Sequence, residues 1–212
     1  MYQPPTFRED DLGVQHALIR AHPLGLLITA GAEGILADPV PFLVDGTGGK
    51  GVLRAHVARA NRQWHAIRDG AAAMVVFQGA EAYVTPSWYR TKAETGKVVP
   101  TWNYAIVQAR GPAKIVEDAA WLRSQIDALT AQQEGSRPQP WQVGDAPGSF
   151  IAAQLKGIVG IEIEIAEIEG KWKVSQNRPE ADRDGVARGL SEDAPNPEMQ
   201  ELVTRYGERQ AR

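Results

Sequence analysis

The sequence predicts an α+β fold that is mainly β: an antiparallel β-barrel with added helices. Several short apolar segments of strand length are separated by turn residues. Helical patterns lie between some of them, but without the strict alternation of strand and helix that a doubly wound sheet requires. The clearest strand signal covers residues 158–168, where isoleucines alternate with glutamates. Six or more such strands in one chain favour a barrel.

The remaining strands follow from apolar runs and from alternation. Pro39 and Pro41 place bends or a sheet edge in one of them. Another carries Arg54 and His56 on one face and apolar residues on the other. We expect strands at 24–30, 35–44, 51–57, 73–78, 81–85, 102–116 and 158–168, with a turn at 32–34, a hairpin turn at 78–79 and a bulge at 111–112.

Helices are expected where a capping residue precedes a periodic apolar stripe. Asp118 and Asn61 are the expected N-caps of two of them. Long segments without such a pattern are expected to be irregular, and inside a compact domain such segments are often functional. The expected helices cover 10–20, 61–69, 118–134, 150–155 and 197–206, and the irregular segments cover 86–99 and 136–148.

The composition excludes several kinds of chemistry. The chain has 212 residues and no Cys, so disulfides, thiolate nucleophiles and iron–sulfur clusters are absent. Its four His lack zinc-site spacing, so no metal is expected. A formal net charge of −3 gives little attraction to nucleic acid. No apolar run approaches the roughly 20 residues of a membrane helix, and residues 1–11 lack the apolar core of a signal peptide. We therefore expect a cytoplasmic protein without a membrane partner.

The first candidate site is the corner where a strand ends near residue 57 and a helix is expected to begin. The N-terminus of a helix offers free N–H groups and a partial positive charge, which suits a phosphate. Arg59, Asn61 and Arg62 would add donors and charge there, close in sequence to Arg54 and His56. A capped surface helix with solvated arginines would have the same sequence, so both interpretations stay open.

The second candidate site is a stretch rich in aromatic and polar residues after the predicted hairpin. It contains Ser87, Trp88 and Lys92, followed by Trp102 and Asn103. Aromatic planes with a few polar groups suit a flat heterocycle, because the planes stack on the ring and the polar groups bond its edges. The same tryptophans could instead cap a barrel core, with the hydroxyl groups serving turns.

The third candidate site is the donor-rich run at 171–178, from Lys171 to Arg178, that precedes Pro179. Lys173, Gln176 and Arg178, with Ser and Asn between them, could clamp a phosphate or carbonyl oxygens. A plain loop has the same composition, and the residues alone favour that simpler interpretation.

Five separated motifs along the chain resemble one known family. They are Met-Tyr-x-Pro-x-x-Phe at 1–7, His-Val-Ala-Arg-Ala-Asn-Arg-Gln-Trp at 56–64, Tyr-Val-Thr-Pro-Ser-Trp-Tyr at 83–89, Val-Pro-Thr-Trp-Asn-Tyr at 99–104 and Lys-Val-Ser-Gln-Asn-Arg at 173–178. In this order they resemble the PaiB-type family, described as FMN-binding negative transcriptional regulators. The likeness covers nearly the whole chain. One departure is Arg62, where Pro is typical of the family.

The resemblance implies an antiparallel six-stranded split β-barrel of the FMN-binding type, shared with pyridoxamine-phosphate oxidase-like proteins. It implies FMN as the cofactor, bound between the subunits of a homodimer with its phosphate at residues 59–62. The second and third candidate sites would then close the cleft around the isoalloxazine ring, from the same subunit or from its partner. We expect residues 1–175 to form the FMN-binding domain with inserted helices, and residues 176–212 to form a C-terminal extension on that domain or on the partner.

Two functions of different classes are compatible with the sequence. The resemblance implies repression of transcription, although the residues show no helix-turn-helix spacing and no strongly basic helix, so charge and motif do not support DNA binding. The alternative is an FMN-dependent oxidoreductase that uses a nicotinamide or another reductant. No residue is an obvious acid or base for such an enzyme, and His56, Tyr89 and Lys92 are candidates. A flavin carrier without catalysis is a third interpretation.

Overall fold

The computed structural model describes residues 1–32 and 34–210, except for the side chains of residues 209 and 210. Strands and helices follow one another irregularly along the chain. The strands are β1 (Arg8–Glu9), β2 (Leu24–Gly31), β3 (Gly34–Asp45), β4 (Val52–Ala58), β5 (Ala72–Val84), β6 (Thr101–Gly111), β7 (Ala113–Val116), β8 (Ile158–Glu164) and β9 (Glu167–Lys173). The α-helices are α1 (Leu12–Ala21), α2 (Gln63–Arg68), α3 (Arg90–Thr95), α4 (Ala119–Glu134), α5 (Gly148–Lys156), α6 (Glu180–Glu192) and α7 (Pro197–Gln210). None of these helices is long and apolar enough to cross a membrane.

The chain divides into two compact units, which we describe separately. Unit 1 contains Met1–Asp11, Gln78–Val107 and the chain from Glu169 onward, and unit 2 contains Leu12–Phe77 and Gln108–Ile168. The expected boundary between residues 175 and 176 falls inside unit 1. The division into domains 1–175 and 176–212 stays a prediction.

In unit 2 the strands lie in the order β5, β2, β3, β4, β8, β7, and each neighbouring pair is antiparallel. Alternate side chains point to opposite faces of a strand. Leu53, Ala55 and Val57 of β4 are accordingly buried, with Arg54 and His56 on the other face, which confirms the predicted alternation. Phe42 and Phe77 meet edge to face in the core, with ring centroids 5.7 Å apart.

Helix α4 covers the face of β4 and β8 that carries His56. Asp118 caps the helix as predicted, because its carboxylate accepts a hydrogen bond from the backbone N–H of Trp121 at 2.8 Å. Gly160 lies opposite His56 in the β4–β8 register. The Trp121 ring lies on that glycine, where an added Cβ would be only 2.4 Å from the indole. The glycine therefore permits the close approach of helix and sheet.

In unit 1, strands β1, β9, β6 and β5 lie side by side in that order. Helices α6 and α7 pack on each other and bury Leu190, Met199 and Val203. Helix α7 confirms the amphipathic helix expected after Asn196. Helix α6 was not expected, because charged residues dominate its sequence and only a narrow stripe of apolar and glycine positions is buried.

The strand count differs from the sequence-based expectation: the described residues form nine strands rather than six. The expected strand 102–116 is two strands, β6 and β7, and the break falls at Pro112, inside the bulge expected at 111–112. Proline has no backbone N–H to donate to a neighbouring strand. The expected strand 158–168 is also interrupted, where the backbone N–H of Ala166 donates to the Arg110 carbonyl at 3.0 Å, a contact distant in sequence.

Two local expectations are also wrong. The hairpin at residues 78–79 does not form, and β5 runs without interruption from Ala72 to Val84. A two-residue hairpin of the expected kind needs positive φ angles, and Gly79 is not among the described glycines with positive φ. The irregular segment 86–99 contains a 3₁₀ turn, Pro86–Trp88, and helix α3. The turn expected at 32–34 includes Glu33, which lies outside the described residues.

Candidate functional site

The predicted phosphate corner, between β4 and α2, lies in unit 2. The Arg59 guanidinium donates to the carbonyls of Lys156, at 3.1 Å, and Ile158, at 3.3 Å, and it also pairs with the Glu117 carboxylate. The Asn61 amide donates to Asp38 at 2.9 Å, and its oxygen accepts from the backbone N–H at residue 63 at 2.7 Å. Both side chains therefore hold the corner in shape through internal bonds.

Helix α2 is shorter than expected, with six residues in place of the range 61–69. The buried Gln63 side chain anchors its first turn, donating to the Leu27 carbonyl at 2.8 Å and the Leu36 carbonyl at 3.2 Å. A helix of fewer than two turns sums few peptide dipoles. The case for a phosphate at this corner therefore depends on side chains rather than on the helix dipole.

Arg62 is the donor that this corner leaves available. Its side chain is exposed and makes no hydrogen bond or ion pair within the described residues. With His65 and Asp69 it lines a cavity of about 480 Å³. Arg54, in contrast, pairs with Glu162 at 3.2 Å and with Asp45 at 3.5 Å.

His56 lies on the face of β4 that α4 covers. Its Nδ1 atom is buried and has no hydrogen-bond partner within the described residues. Burial lowers the pKa of His56, because a desolvated imidazolium is unfavourable. The ring is therefore neutral near pH 7.

The aromatic stretch lies in unit 1, where Trp88 packs against α6. An added Cβ on Gly189 would be 2.3 Å from the Trp88 indole. The indole N–H of Trp88 donates to the Asp193 carboxylate at 3.0 Å. Lys92 donates to the Ser87 hydroxyl at 3.1 Å. Trp88 thus joins the turn before α3 to helix α6.

Buried polar side chains of unit 1 hold the chain that follows β9. The Asn103 amide donates to the Ser175 hydroxyl at 2.9 Å. The Gln176 side chain accepts from the Val174 backbone N–H at 2.8 Å and donates to the Trp172 carbonyl. Ser175 has a φ of 66°, in the left-handed region that only a well-supported turn maintains in a non-glycine residue.

Three cations on β9 and the segment that follows it face tyrosine rings. The ammonium of Lys171 lies 5.4 Å from the ring centroid of Tyr2 and 5.3 Å from that of Tyr104. The Lys173 ammonium lies 5.9 Å from the Tyr104 ring. The Arg178 guanidinium lies 4.7 Å from its aromatic partner, Tyr89. We call this set the lysine–tyrosine cluster: Lys171, Lys173, Arg178, Tyr2, Tyr89 and Tyr104.

The cations of the cluster have no directly paired carboxylate in the described part of the chain, although the Asp182 carboxylate acts electrostatically on Tyr89. Within the described residues none of its three cations forms an ion pair with a carboxylate. Burial, followed by repulsion from Lys171 and Arg178, lowers the pKa of Lys173. Lys173 donates to the Thr101 hydroxyl and to the Trp102 carbonyl. Trp102 is 53% exposed and meets Tyr83 edge to face at 5.8 Å, so an aromatic plane is open to a ligand.

The predicted site residues thus fall into two groups. Unit 2 holds Arg54, His56, Arg59, Asn61 and Arg62, and unit 1 holds Ser87, Trp88, Lys92, Trp102, Asn103, Lys173, Gln176 and Arg178. Sequence reasoning included Lys171 in the third candidate run without naming it as a donor, and it missed Tyr2 as part of a site. The signal for Lys171 was its spacing of two from Lys173, which places both on one face of a strand once β9 is recognised.

Solved structures with the same fold identify the class. The chain matches the FAD- and haem-binding protein from Mycobacterium smegmatis with a TM-score of 0.59 and 15% identity, covering 78% of this chain and 73% of that one. It matches the flavocytochrome Anf3 from Azotobacter vinelandii with a TM-score of 0.58 and 15% identity, covering 78% and 69%. Such low identity shows the fold alone. The fold is a mainly antiparallel split barrel with added helices.

Sequence comparison identifies the family. Residues 1–167 match the family described as "Putative FMN-binding domain". The chain is 38% identical over 226 residues to the uncharacterized protein AN0679 of Emericella nidulans, covering 90% of each. It is 29% identical over 205 residues to the protease synthase and sporulation protein PAI 2 of Bacillus subtilis, covering 96% of each. The chain belongs to this FMN-binding family, which confirms the PaiB-type resemblance and FMN as the cofactor.

The side chains that the structure presents fit the chemistry of FMN. A phosphate needs cationic donors that internal carboxylates do not neutralise, and Arg62 of unit 2 meets this need. When bound, FMN supplies electron or hydride transfer, whereas the chain supplies binding and orientation.

Proposed function

We propose that the protein is an FMN-binding homodimer with a regulatory role of the PaiB type. An uncovered apolar face of the unit 2 sheet supports the proposed dimer. The regulatory role is proposed from the likeness to the PAI 2 protein along 96% of both chains. Because the chain is mildly acidic, we propose that it acts on transcription through a partner or indirectly.

The uncovered face is formed by β3, β2 and β5. Paired residues in neighbouring strands share a face, and here Leu26 lies between Pro39 and Val76. No charged or polar side chain lies among the members, and Ile35 is 76% exposed. We call this set the apolar sheet face: Leu24, Leu26, Ile28, Ala30, Ile35, Ala37, Pro39, Pro41, Ala72, Met74 and Val76.

A second copy of the chain is the proposed occupant of the apolar sheet face. Large exposed apolar patches mark interaction sites, and water contact with this one is unfavourable. A two-fold symmetric contact presents the same patch twice, so a patch without charges is complementary to itself. Helix α4 covers the neighbouring strands β4 and β8, but the described helices leave this face open.

Arg62→Ala is expected to weaken FMN binding about tenfold, because one charge-assisted hydrogen bond to the phosphate contributes roughly 1.5 kcal/mol. Riboflavin, which lacks the phosphate, should bind the variant as it binds the wild type. Quenching of flavin fluorescence during titration measures both affinities. Arg68→Ala is the matched control, since Arg68 pairs with its neighbour Asp69. Equal losses of FMN and riboflavin affinity would refute the phosphate assignment.

An FMN-dependent oxidoreductase is the second candidate, favoured by the open Trp102 plane beside uncompensated cations. The visible spectrum of the purified protein during addition of NADH or NADPH separates the two functions. Bleaching of the flavin at catalytic rates supports the oxidoreductase. A yellow protein inert to both nucleotides, which alters the mobility of a promoter fragment alone or with a partner, supports the regulator. A protein that gains no flavin on reconstitution refutes both.

A further inference from the structure

We propose that the lysine–tyrosine cluster binds a second ligand besides FMN, a small aromatic anion that carries a phosphate or carboxylate group. The proposal names the class of ligand that the FMN-loaded protein accepts, and in that respect it rests on the proposed function. All of its residues lie in unit 1.

The first observation is that no carboxylate forms an ion pair with the three cations within the described residues. Lys171 is only 8% exposed, its ammonium makes no hydrogen bond within the described residues, and its neighbours there are two tyrosine rings. Removing an ammonium from water is costly unless it gains a partner. Repulsion among Lys171, Lys173 and Arg178 adds to this cost. A bound anion would relieve both, and three cations favour an anion with more than one oxygen.

The second observation concerns the hydroxyl group of Tyr89. Tyr89 is almost fully buried, and no described residue accepts a hydrogen bond from its hydroxyl, since the nearby Arg178 guanidinium can only donate. Burial raises the pKa of Tyr89 against the opposing effect of the Arg178 guanidinium, so the hydroxyl keeps its proton. A buried donor without a partner is rare in folded proteins. An oxygen of the bound anion would accept this hydrogen bond.

The third observation indicates that the ligand contains an aromatic ring. The Lys173 ammonium donates a hydrogen bond to the backbone carbonyl of Trp102, so it lies next to that residue. The indole of Trp102 is half exposed, and Tyr83 supports it edge to face. A flat ring can stack on this plane while its anionic group meets the cations. The spacing of Lys171 and Lys173 on one face of β9 gives the anion two ammonium groups.

Phenyl phosphate is the probe, titrated by calorimetry into the FMN-saturated protein. The wild type should bind it saturably, and Lys171→Met should weaken binding roughly tenfold, since one charged contact is worth about 1.5 kcal/mol. Methionine keeps the apolar stem of the lysine, so packing changes little. Tyr89→Phe should weaken binding about threefold to tenfold through the lost hydroxyl. Lys97→Met, which removes an exposed lysine outside the cluster, should leave the affinity unchanged.

Three results would overturn the proposal. The first is that phenyl phosphate does not bind the wild type at millimolar concentration, and the second is that it displaces FMN. The third is that Tyr89→Phe binds phenyl phosphate with the affinity of the wild type. If Lys171→Met does not fold, the affinity of Tyr89→Phe for phenyl phosphate tests the proposal by itself. The FMN and riboflavin titration of Arg62→Ala is independent of the cluster. The two titrations therefore distinguish a wrong assignment of the FMN phosphate from a wrong assignment of this second site.

Discussion

Leu26→Asp should convert the dimer into a monomer. Leu26 lies at the centre of the apolar sheet face, opposite Pro39 on β3 and Val76 on β5. In a two-fold interface each substitution appears twice, so two unpaired carboxylates would be buried. At a cost of roughly 2 kcal/mol for each, the dissociation constant should rise about a thousandfold. Sedimentation velocity over a range of protein concentrations measures this shift.

Phe150→Asp is the matched control for the dimer. Phe150 lies on α5 and is also a large exposed apolar residue, but it is outside the apolar sheet face. The control should sediment as the wild type does. Leu26 is itself 39% exposed in the single chain, so Leu26→Asp should leave the fold of the monomer intact. If FMN binds between subunits, the monomer should also lose FMN. A Leu26→Asp protein that sediments as a dimer would contradict the proposed interface.

The elements that the sequence predicted well are those with local causes. The cap at Asp118 needs only a carboxylate two or three residues before the N–H groups that it satisfies. The alternation in β4 follows from the pleat of the strand. The stripe in α7 follows from the helical period. Each of these patterns is complete within a short window of sequence, so the sequence alone was sufficient.

The elements that were missed have distant causes. The expected strand 158–168 is interrupted where the Ala166 backbone N–H donates to the Arg110 carbonyl, which lies more than fifty residues away in sequence. Helix α6 is stabilised by contacts with α7 and with the turn at Trp88, and its own charged sequence gives a weak apolar signal. A pattern within one window cannot indicate a partner outside that window.

The candidate site was predictable in its residue types but not in its contacts. Arginines near the end of β4 indicated a phosphate, yet the internal bonds of Arg59 to Glu117 and to two carbonyls could not be read from the sequence. Lys171 was part of the third candidate run, but that run was not expected to begin in a strand, so the shared face of Lys171 and Lys173 on β9 was not predicted. The lack of a carboxylate near a cation depends on all the chain segments that surround it. Only the folded structure shows that lack.

Gly185→Ala should lower the free energy of unfolding by about 3 kcal/mol, a large effect for one methyl group. The added Cβ would lie 1.9 Å from the backbone carbonyl oxygen of Trp88, an atom that no rotamer change can move. Helix α6 would have to withdraw from the turn that carries Trp88. Urea unfolding at a fixed protein concentration measures the loss. The matched control is Gly148→Ala, where an added Cβ would meet nothing within 4 Å and stability should change little.

The same variant tests whether Trp88 acts as an anchor or as a cofactor contact. Its indole is held by the Asp193 carboxylate and by Gly189 of α6, so we expect it to anchor that helix. If so, the folded fraction of Gly185→Ala should bind riboflavin with wild-type affinity although its stability has fallen. A parallel loss of riboflavin affinity would show instead that the flavin ring depends on the position of Trp88. An unfolding free energy equal to that of Gly148→Ala would contradict the close packing of α6 on this turn.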